Sequence, residues 1–117
     1  MHHLRMISLV LLMGCSGSYD TWDRFLDEYT HTKCLVYKEC YRAHYEGEYE
    51  NYATCREELK ASHNKEVEEE YVGCSFSADS AEKCIEKMLT STCGEHWDDQ
   101  ASIFQSCHED IWVCNTE

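Results

Sequence analysis

Residues 22–41 read Trp22-Asp23-Arg24-Phe25-Leu26-Asp27-Glu28-Tyr29-Thr30-His31-Thr32-Lys33-Cys34-Leu35-Val36-Tyr37-Lys38-Glu39-Cys40-Tyr41. Trp22, Phe25, Leu26, Tyr29, Val36, Tyr37, Cys40 and Tyr41 recur at threes and fours, which is one face of an α-helix. Asp20 stands where an N-cap belongs, and Asp23 completes a start like a capping box. The spacing therefore predicts a first helix from Asp20 to about residue 45. Proline, the main helix breaker, is absent from the whole chain. Beyond Asp20 the glycines are Gly47, Gly73 and Gly94, and they divide the chain as three connections would divide four helices.

The second helix is expected after Asn51, carrying Tyr52, Cys55 and Leu59. It either continues through Val67 and Tyr71 or breaks near Ser62-His63-Asn64. The third takes Ser77 or Asp79 as its cap, with Glu82 as the box partner of Asp79. Its stripe is Ala81, Cys84, Ile85, Met88 and Leu89. The fourth follows Asp98 or Asp99 and presents Ile103, Phe104, Cys107, Ile111 and Cys114. No stretch alternates apolar and polar long enough for a strand, and no Asn-Gly or Asp-Gly turn occurs. Cys74-Ser75-Phe76-Ser77 is the least helical segment. The fold class is all-α: a small disulfide-braced bundle of about four helices, arranged as two helical hairpins.

Ahead of this domain, Met1 to Arg5 lead into a short apolar run, Met6 to Met13, closed by Gly14 and Cys15. The run is far short of the ~20 residues that a membrane-spanning helix needs. A short apolar core behind a positive charge and before a small residue is an export signal. Leu12-Met13-Gly14-Cys15 resembles a bacterial lipobox, in which the Cys is lipidated and becomes the first residue of the mature protein. Met13 departs from the pattern, which usually has a smaller residue there. This divides the chain into a signal peptide (1–14), a lipidated tether (15–19) and a helical domain (20–117). Ser16 follows the lipidated position. Asp there is the inner-membrane retention signal in enteric bacteria, so the expected address is the outer membrane.

The chain has nine cysteines. Setting Cys15 aside leaves an even eight: Cys34, Cys40, Cys55, Cys74, Cys84, Cys93, Cys107 and Cys114. No Cys-x-x-Cys is present, which argues against a zinc knuckle or a thioredoxin-type redox pair. Eight cysteines allow 105 connectivities, and the geometry of helical hairpins narrows them. Residues equidistant from a turn lie level, which pairs Cys40 with Cys55 across Gly47 and Cys84 with Cys107 across Gly94. Cys74 then lies level with Cys114, and Cys34 with Cys93 joins the two hairpins.

The formal charge is −13, and one unit more negative without Arg5. Nucleic acid is excluded as a partner, since phosphate binding needs a basic surface. The expected partners are the membrane, through the lipid anchor, and a cationic protein. Hydrophobic residues make up 43% of the chain, and three Trp and eight Tyr supply large surfaces to bury, so the domain is globular rather than disordered.

Signals for catalysis are sparse. Glu28 and His31 form one Glu-x-x-His where a di-iron bundle needs two. His96 with Asp98 and Asp99, and His108 with Glu109 and Asp110, have the residue types for weak metal binding but not the pattern of a built site. No His-Glu-x-x-His, Gly-x-Ser-x-Gly or phosphate-cradling loop occurs. The expectation is no cofactor, no metal and no enzymatic activity. Tyr37, Tyr41 and Tyr45 recur every four residues, with Tyr49 close behind. The run reads first as a core and boundary stripe. Tyrosine also suits recognition because it is large, rigid and amphipathic, so if the domain has a binding surface these four mark it.

Taken together, Leu12-Met13-Gly14-Cys15, the pair Cys34 and Cys40, the segment Cys55-Arg56-Glu57-Glu58-Leu59, and Cys84-Ile85-Glu86 followed by Cys93 resemble small cysteine-rich helical bacterial lipoproteins of the myxobacterial type. The resemblance is one of layout, and it implies an address rather than an activity. The expected function is an envelope-anchored binding or structural module. The alternative is an inhibitor or immunity-like protein that binds a basic enzyme.

Overall fold

The computed structural model describes residues 20–99, 103–104, 107 and 109–115. The leader, Cys15 and His108 lie outside the described residues. Helix α1 spans Trp22–Cys40, α2 Arg42–Glu48, α3 Tyr52–Glu70, α4 Ala78–Thr90 and α5 Cys93–Asp98, with two short strands, β1 at Ser75–Phe76 and β2 at Trp112–Val113. Ile103, Phe104, Cys107 and Glu109 have helical backbone, and Ile103 N–H donates to the Asp99 carbonyl, so a helical stretch follows Asp99 as the sequence suggested. The domain is an all-α, disulfide-braced bundle.

Helices α1, α3, α4 and α5 each start on a side chain that takes up a free backbone N–H, whereas α2, entered through Tyr41, has no such cap. Thr21 accepts from Arg24 N–H, Asn51 from Thr54, Ser77 from Ser80 and Thr92 from Glu95. The first cap is thus Thr21 and not Asp20, because its hydroxyl is the one that reaches the third helical N–H. Ser77, and not Asp79, caps α4. The capping box belongs to Thr92 and Glu95, whose carboxylate accepts from Thr92 N–H at 2.8 Å. Neither Asp20–Asp23 nor Asp79–Glu82 forms one.

The first helix is shorter than its pattern. It ends at Cys40, and Tyr41 leaves the helical conformation with φ −132° and ψ 52°. Chain turns back onto the same helix at this point. Trp97 of α5 donates its indole N–H to the Cys40 carbonyl at 2.6 Å, Tyr41 hydroxyl donates to the His96 carbonyl at 2.7 Å, and Cys40 is bonded to Cys93. A carbonyl at a helix C-terminus has no intrahelical partner; here α5 supplies one.

Helix α2 fills the connection where a loop around Gly47 was expected. Gly47 lies inside α2 and Gly94 inside α5, so neither is a turn. Among the described residues only Gly73 has positive φ, at 81°, in the turn that carries α3 into β1. Helix α3 runs unbroken through Ser62-His63-Asn64. It lies antiparallel to α1, since Trp22 Nε1–H donates to Asn64, Asp27 pairs with Arg56 and Lys60, and His31 Nδ1 meets the Tyr52 hydroxyl. Those contacts centre the hairpin inside α2, several residues before Gly47. Cys55 is therefore level with Cys34, not with Cys40.

The bridges follow. Cys34 joins Cys55 and Cys40 joins Cys93, correcting the expected Cys40–Cys55 and Cys34–Cys93 pairs. Cys74–Cys114 and Cys84–Cys107 are the pairs the level argument indicated. Cys74–Cys114 flanks the short antiparallel ribbon, in which Ser75 faces Val113 and Phe76 faces Trp112. The least helical segment of the sequence is thus one half of a ribbon, whose partner strand carried no strand signal of its own.

Helices α2, α3, α4 and α5 all pack on α1. Phe25 and Tyr29 of α1 meet Ala81, Cys84, Ile85 and Met88 of α4 in the main core, closed by Ile103, Phe104, Cys107 and Ile111. A smaller core holds Cys34, Tyr45, Cys55 and Leu59. Tyr37 packs against both.

Two expected outcomes test this arrangement. Cys34, Cys55, Cys84 and Cys107 are at most 5% exposed, whereas Cys40, Cys74, Cys93 and Cys114 reach the surface. Stepwise reduction of the folded domain, trapped by alkylation and mapped by mass spectrometry, should open Cys40–Cys93 and Cys74–Cys114 before the buried pairs, because exchange needs access; a peptide joining Cys40 to Cys55 at any stage would contradict the pairing. Gly47→Ala should raise stability by about 0.5 kcal/mol, since the position is helical, in the last turn of α2, and nothing lies within 4 Å of the added Cβ. Gly73→Ala should lower it by about 1 kcal/mol, since it must hold a left-handed conformation. Urea melts of the two variants should move in opposite directions.

Candidate functional site: a groove at the Cys40–Cys93 bridge

Where α5 docks on the end of α1, a groove of about 390 Å³ opens between α1, α4 and α5. That volume is within the range of small-molecule pockets. Leu35 and Val36 of α1 face Met88 and Leu89 of α4 across it, and the Cys40–Cys93 bridge closes one end. Leu35 is 43% and Leu89 64% exposed, two of the larger apolar side chains left at the surface. Glu39 and Ser91 add polar groups to the lining.

His96 is the unusual member of this wall. Its side chain is 1% exposed, and its Nε2 lies 3.3 Å from the Met88 carbonyl. A carbonyl only accepts, so Nε2 carries the hydrogen and Nδ1 presents a lone pair. Nδ1 is buried and has no hydrogen-bond partner among the described residues. An unmatched buried acceptor costs roughly 1–3 kcal/mol, which makes it a place where a donor would be gained. His96 is held there by its own backbone on α5, whose carbonyl accepts from Tyr41, and by Phe104, whose ring centroid is 5.7 Å away.

A second unusual group lies deeper in α1. Lys33 is 7% exposed, and its Nζ sits 4.9 Å from the Phe104 ring centroid, 5.3 Å from Tyr29 and 5.8 Å from Tyr37. Three ring faces attract the cation but do not replace water. Burial lowers the amine from the ordinary 10.5 to about 8, and the Glu66 carboxylate opposes that fall. Burial also raises the Tyr29 phenol and pushes Tyr37 up to about 12.

Of the four tyrosines named as a binding surface, Tyr45 is buried and Tyr37, Tyr41 and Tyr49 are half-buried. Tyr45 is 8% exposed and belongs to the smaller core. Tyr37 and Tyr49 stack with centroids 6.4 Å apart, and Tyr41 is tied to α5. Their spacing was that of a helical stripe, and with the chain bent at Tyr41 and again at Tyr49 the stripe closes over the Cys34–Cys55 bridge. Glu28 accepts from Thr32 hydroxyl and His31 meets Tyr52, so each member of the Glu-x-x-His has a neighbour of its own. His96 does not join Asp98 and Asp99 as a ligand set, being buried while both aspartates are exposed. Among the described residues no group of three or more His, Cys, Asp or Glu could hold a metal ion. The groove itself went unread in the sequence. Its one signal was Leu35, a large apolar residue off the α1 stripe.

Lys33 generates a pH dependence with a definite sign. Its amine is charged in both folded and unfolded chains below about pH 8. Between about 8 and 10.5 the folded state releases the proton while the unfolded chain keeps it, so stability rises with pH. Above pH 10 the unfolded tyrosines ionise while buried Tyr29 and Tyr37 do not, so stability falls again. Denaturation midpoints should therefore peak near pH 10. Lys33→Met should remove the rise and stabilise the domain at pH 7 by about 2–3 kcal/mol. A wild-type curve flat from pH 7 to 10 would contradict the buried-amine account.

Comparison with protein-family models, with curated proteins and with solved structures finds no match for this chain.

Proposed function

We propose that this chain is an exported protein, anchored by lipid at Cys15, whose helical domain binds a partner in the groove at the Cys40–Cys93 bridge. The observation that carries the reading is that all eight cysteines of the domain are joined in four bridges. Disulfides persist in oxidising compartments outside the cytosol, and small secreted domains rely on them. With those eight paired, Cys15 is the ninth, and it stands in the lipobox-like Leu12-Met13-Gly14-Cys15. No described helix is long and apolar enough to cross a membrane, so attachment falls to acyl chains, of which more than one gives stable anchoring. Ser16 directs the module to the outer membrane.

The groove supports binding rather than catalysis. It combines exposed aliphatic walls with one buried acceptor, His96 Nδ1. Such a site suits a small apolar group that carries a hydrogen-bond donor. The second reading, an inhibitor or immunity-like protein for a basic enzyme, draws on α3, where Glu57, Glu58, Glu68, Glu69 and Glu70 are exposed. A complex of that kind would weaken steeply as salt rises, whereas apolar capture in the groove would not.

Both parts of the reading can be measured on one preparation. Intact mass of the envelope-extracted protein should show cleavage before Cys15, acyl groups and four disulfides. Cys15→Ser should lose the acyl mass and leave the membrane fraction. In the folded domain, NMR titration with indole, an apolar ring with one N–H donor, should shift Leu35, Leu89 and His96. Leu89→Asp should weaken that response by about tenfold. A mutant that stays membrane-bound with unchanged mass overturns the anchor, and an unresponsive groove overturns the site.

A further inference from the structure

The chain leaves the domain towards Cys15 beside a second apolar surface, at the opposite end of α1 from the groove. Trp22, the first residue of α1, lies with its ring 5.3 Å from Trp112 of β2 and 6.3 Å from Phe76 of β1. Trp112 stacks in turn on Tyr71, 5.6 Å away, at the end of α3. Next in the chain to Tyr71 and Trp112 are Val72, 76% exposed, and Val113, 60% exposed, Val113 on the outer face of β2 while Trp112 packs on the core. They are brought together by the Cys74–Cys114 bridge and by the pairing of Ser75 with Val113. Neither valine is needed to close the core. A cluster of half-buried Trp and Tyr with exposed aliphatics at its rim is the composition found where proteins meet a membrane interface.

The tether decides what can cover this surface. From Cys15 to Asp20 the chain spans five peptide units, and covalent geometry limits that reach to about 18 Å. An acyl chain on Cys15 would hold the start of α1, and with it the Trp22–Trp112 end, next to the bilayer. Cys40 and the groove lie at the far end of α1, about 27 Å further along the helix axis. We propose that Val72 and Val113, exposed at the Trp22 end of α1, dock on the interface of a bilayer with neutral headgroups and so point the groove away from the membrane. This rests on the reading of Cys15 as the lipid anchor.

Tethering makes a weak contact sufficient, because a short linker keeps the surface at an effective concentration near millimolar. Charge selects the headgroup. Burial raises the Tyr71 phenol, and the Glu66, Glu109 and Glu70 carboxylates add to the rise, so negative charge lies near this end of the domain and opposes anionic lipid.

The test uses the acylated mature chain reconstituted into phosphatidylcholine and phosphatidylethanolamine vesicles, with bromine on the lipid acyl chains. Flotation reports the anchor, and bromine quenching of Trp fluorescence reports the docking, with exposed Trp97 at the groove end as the tryptophan left to aqueous iodide. The expected result is flotation with quenching, reduced when anionic lipid is added at low salt. Val72→Asp with Val113→Asp alters only exposed positions. That variant should float as well as wild type and lose most of the quenching. Flotation without quenching, or quenching unchanged in the double variant, overturns the docking and leaves the anchor standing. An unquenched wild type that is dimeric in detergent, with a monomeric double variant, assigns the face to a second copy and likewise overturns it. A chain that carries no lipid and does not float overturns the anchor, and the docking falls with it.

Discussion

The end of α1 at Cys40 is the constraint on which the rest of the structure depends. One more turn of helix would have carried Tyr41 and Tyr45 along the stripe and left the Cys40 carbonyl inside the ladder. Instead that carbonyl accepts the Trp97 indole, and the Cys40 sulfur is bonded to Cys93. Because α1 stops there, α2 becomes the connection, the hairpin centre moves towards the N-terminus, and Cys55 meets Cys34. Because α5 is drawn to the same point, His96 is buried against Met88, and the groove opens between them. One terminal carbonyl and one disulfide thereby set the disulfide pattern and the candidate site.

The energetics explain why the braces matter. Helix α3 buries only Cys55, Leu59 and His63. So thin an apolar face would not hold a 19-residue helix against α1 by burial alone. It is pinned at several levels by polar contacts, among them Arg56 and Lys60 on Asp27, which hold the Asp27 carboxyl below the usual range. Those partners are exposed enough that each contributes little. The Cys34–Cys55 bridge limits the unfolded chain by roughly 3 kcal/mol, more than such surface pairs supply. The same domain tolerates Lys33 in its interior, a destabilising choice that three aromatic rings only partly offset. Four bridges are what allow a chain with a formal charge of −13 to carry that burden.

The two proposed uses sort along α1. At the Trp22 end the rings gather around the ribbon, close to where the chain runs back to Cys15. At the Cys40 end, Leu35 and Leu89 are exposed, and behind them lies the buried Nδ1 of His96, which has no hydrogen-bond partner among the described residues. A helix of 19 residues separates the two. The proposed module uses one end for address and the other for recognition, and neither use requires the domain to change shape.

The linear sequence determined what depends on near neighbours. The period of Trp22, Phe25, Leu26 and Tyr29 identified α1, Asn51 and Ser77 were legible as caps, and the stripe Ala81–Cys84–Ile85–Met88 identified α4, because helix faces and N-caps are set within one or two turns. The pairs Cys84–Cys107 and Cys74–Cys114 were legible too, since spacing alone placed their partners level. The tertiary structure decided everything that depended on distant groups. No local signal announced that α1 would stop at Cys40, because the partner of its last carbonyl is Trp97, 57 residues away. Gly47 and Gly94 read as turns but are helical, since glycine permits a turn without requiring one. The tyrosine run read as a core and boundary stripe that could also offer a binding surface; which tyrosine is buried, Tyr45, and which stay half-exposed was decided by the bend at Tyr41. His96 read as a surface polar residue and is buried for the same reason: burial belongs to the packing of α5 on α1, which the chain reaches only when folded.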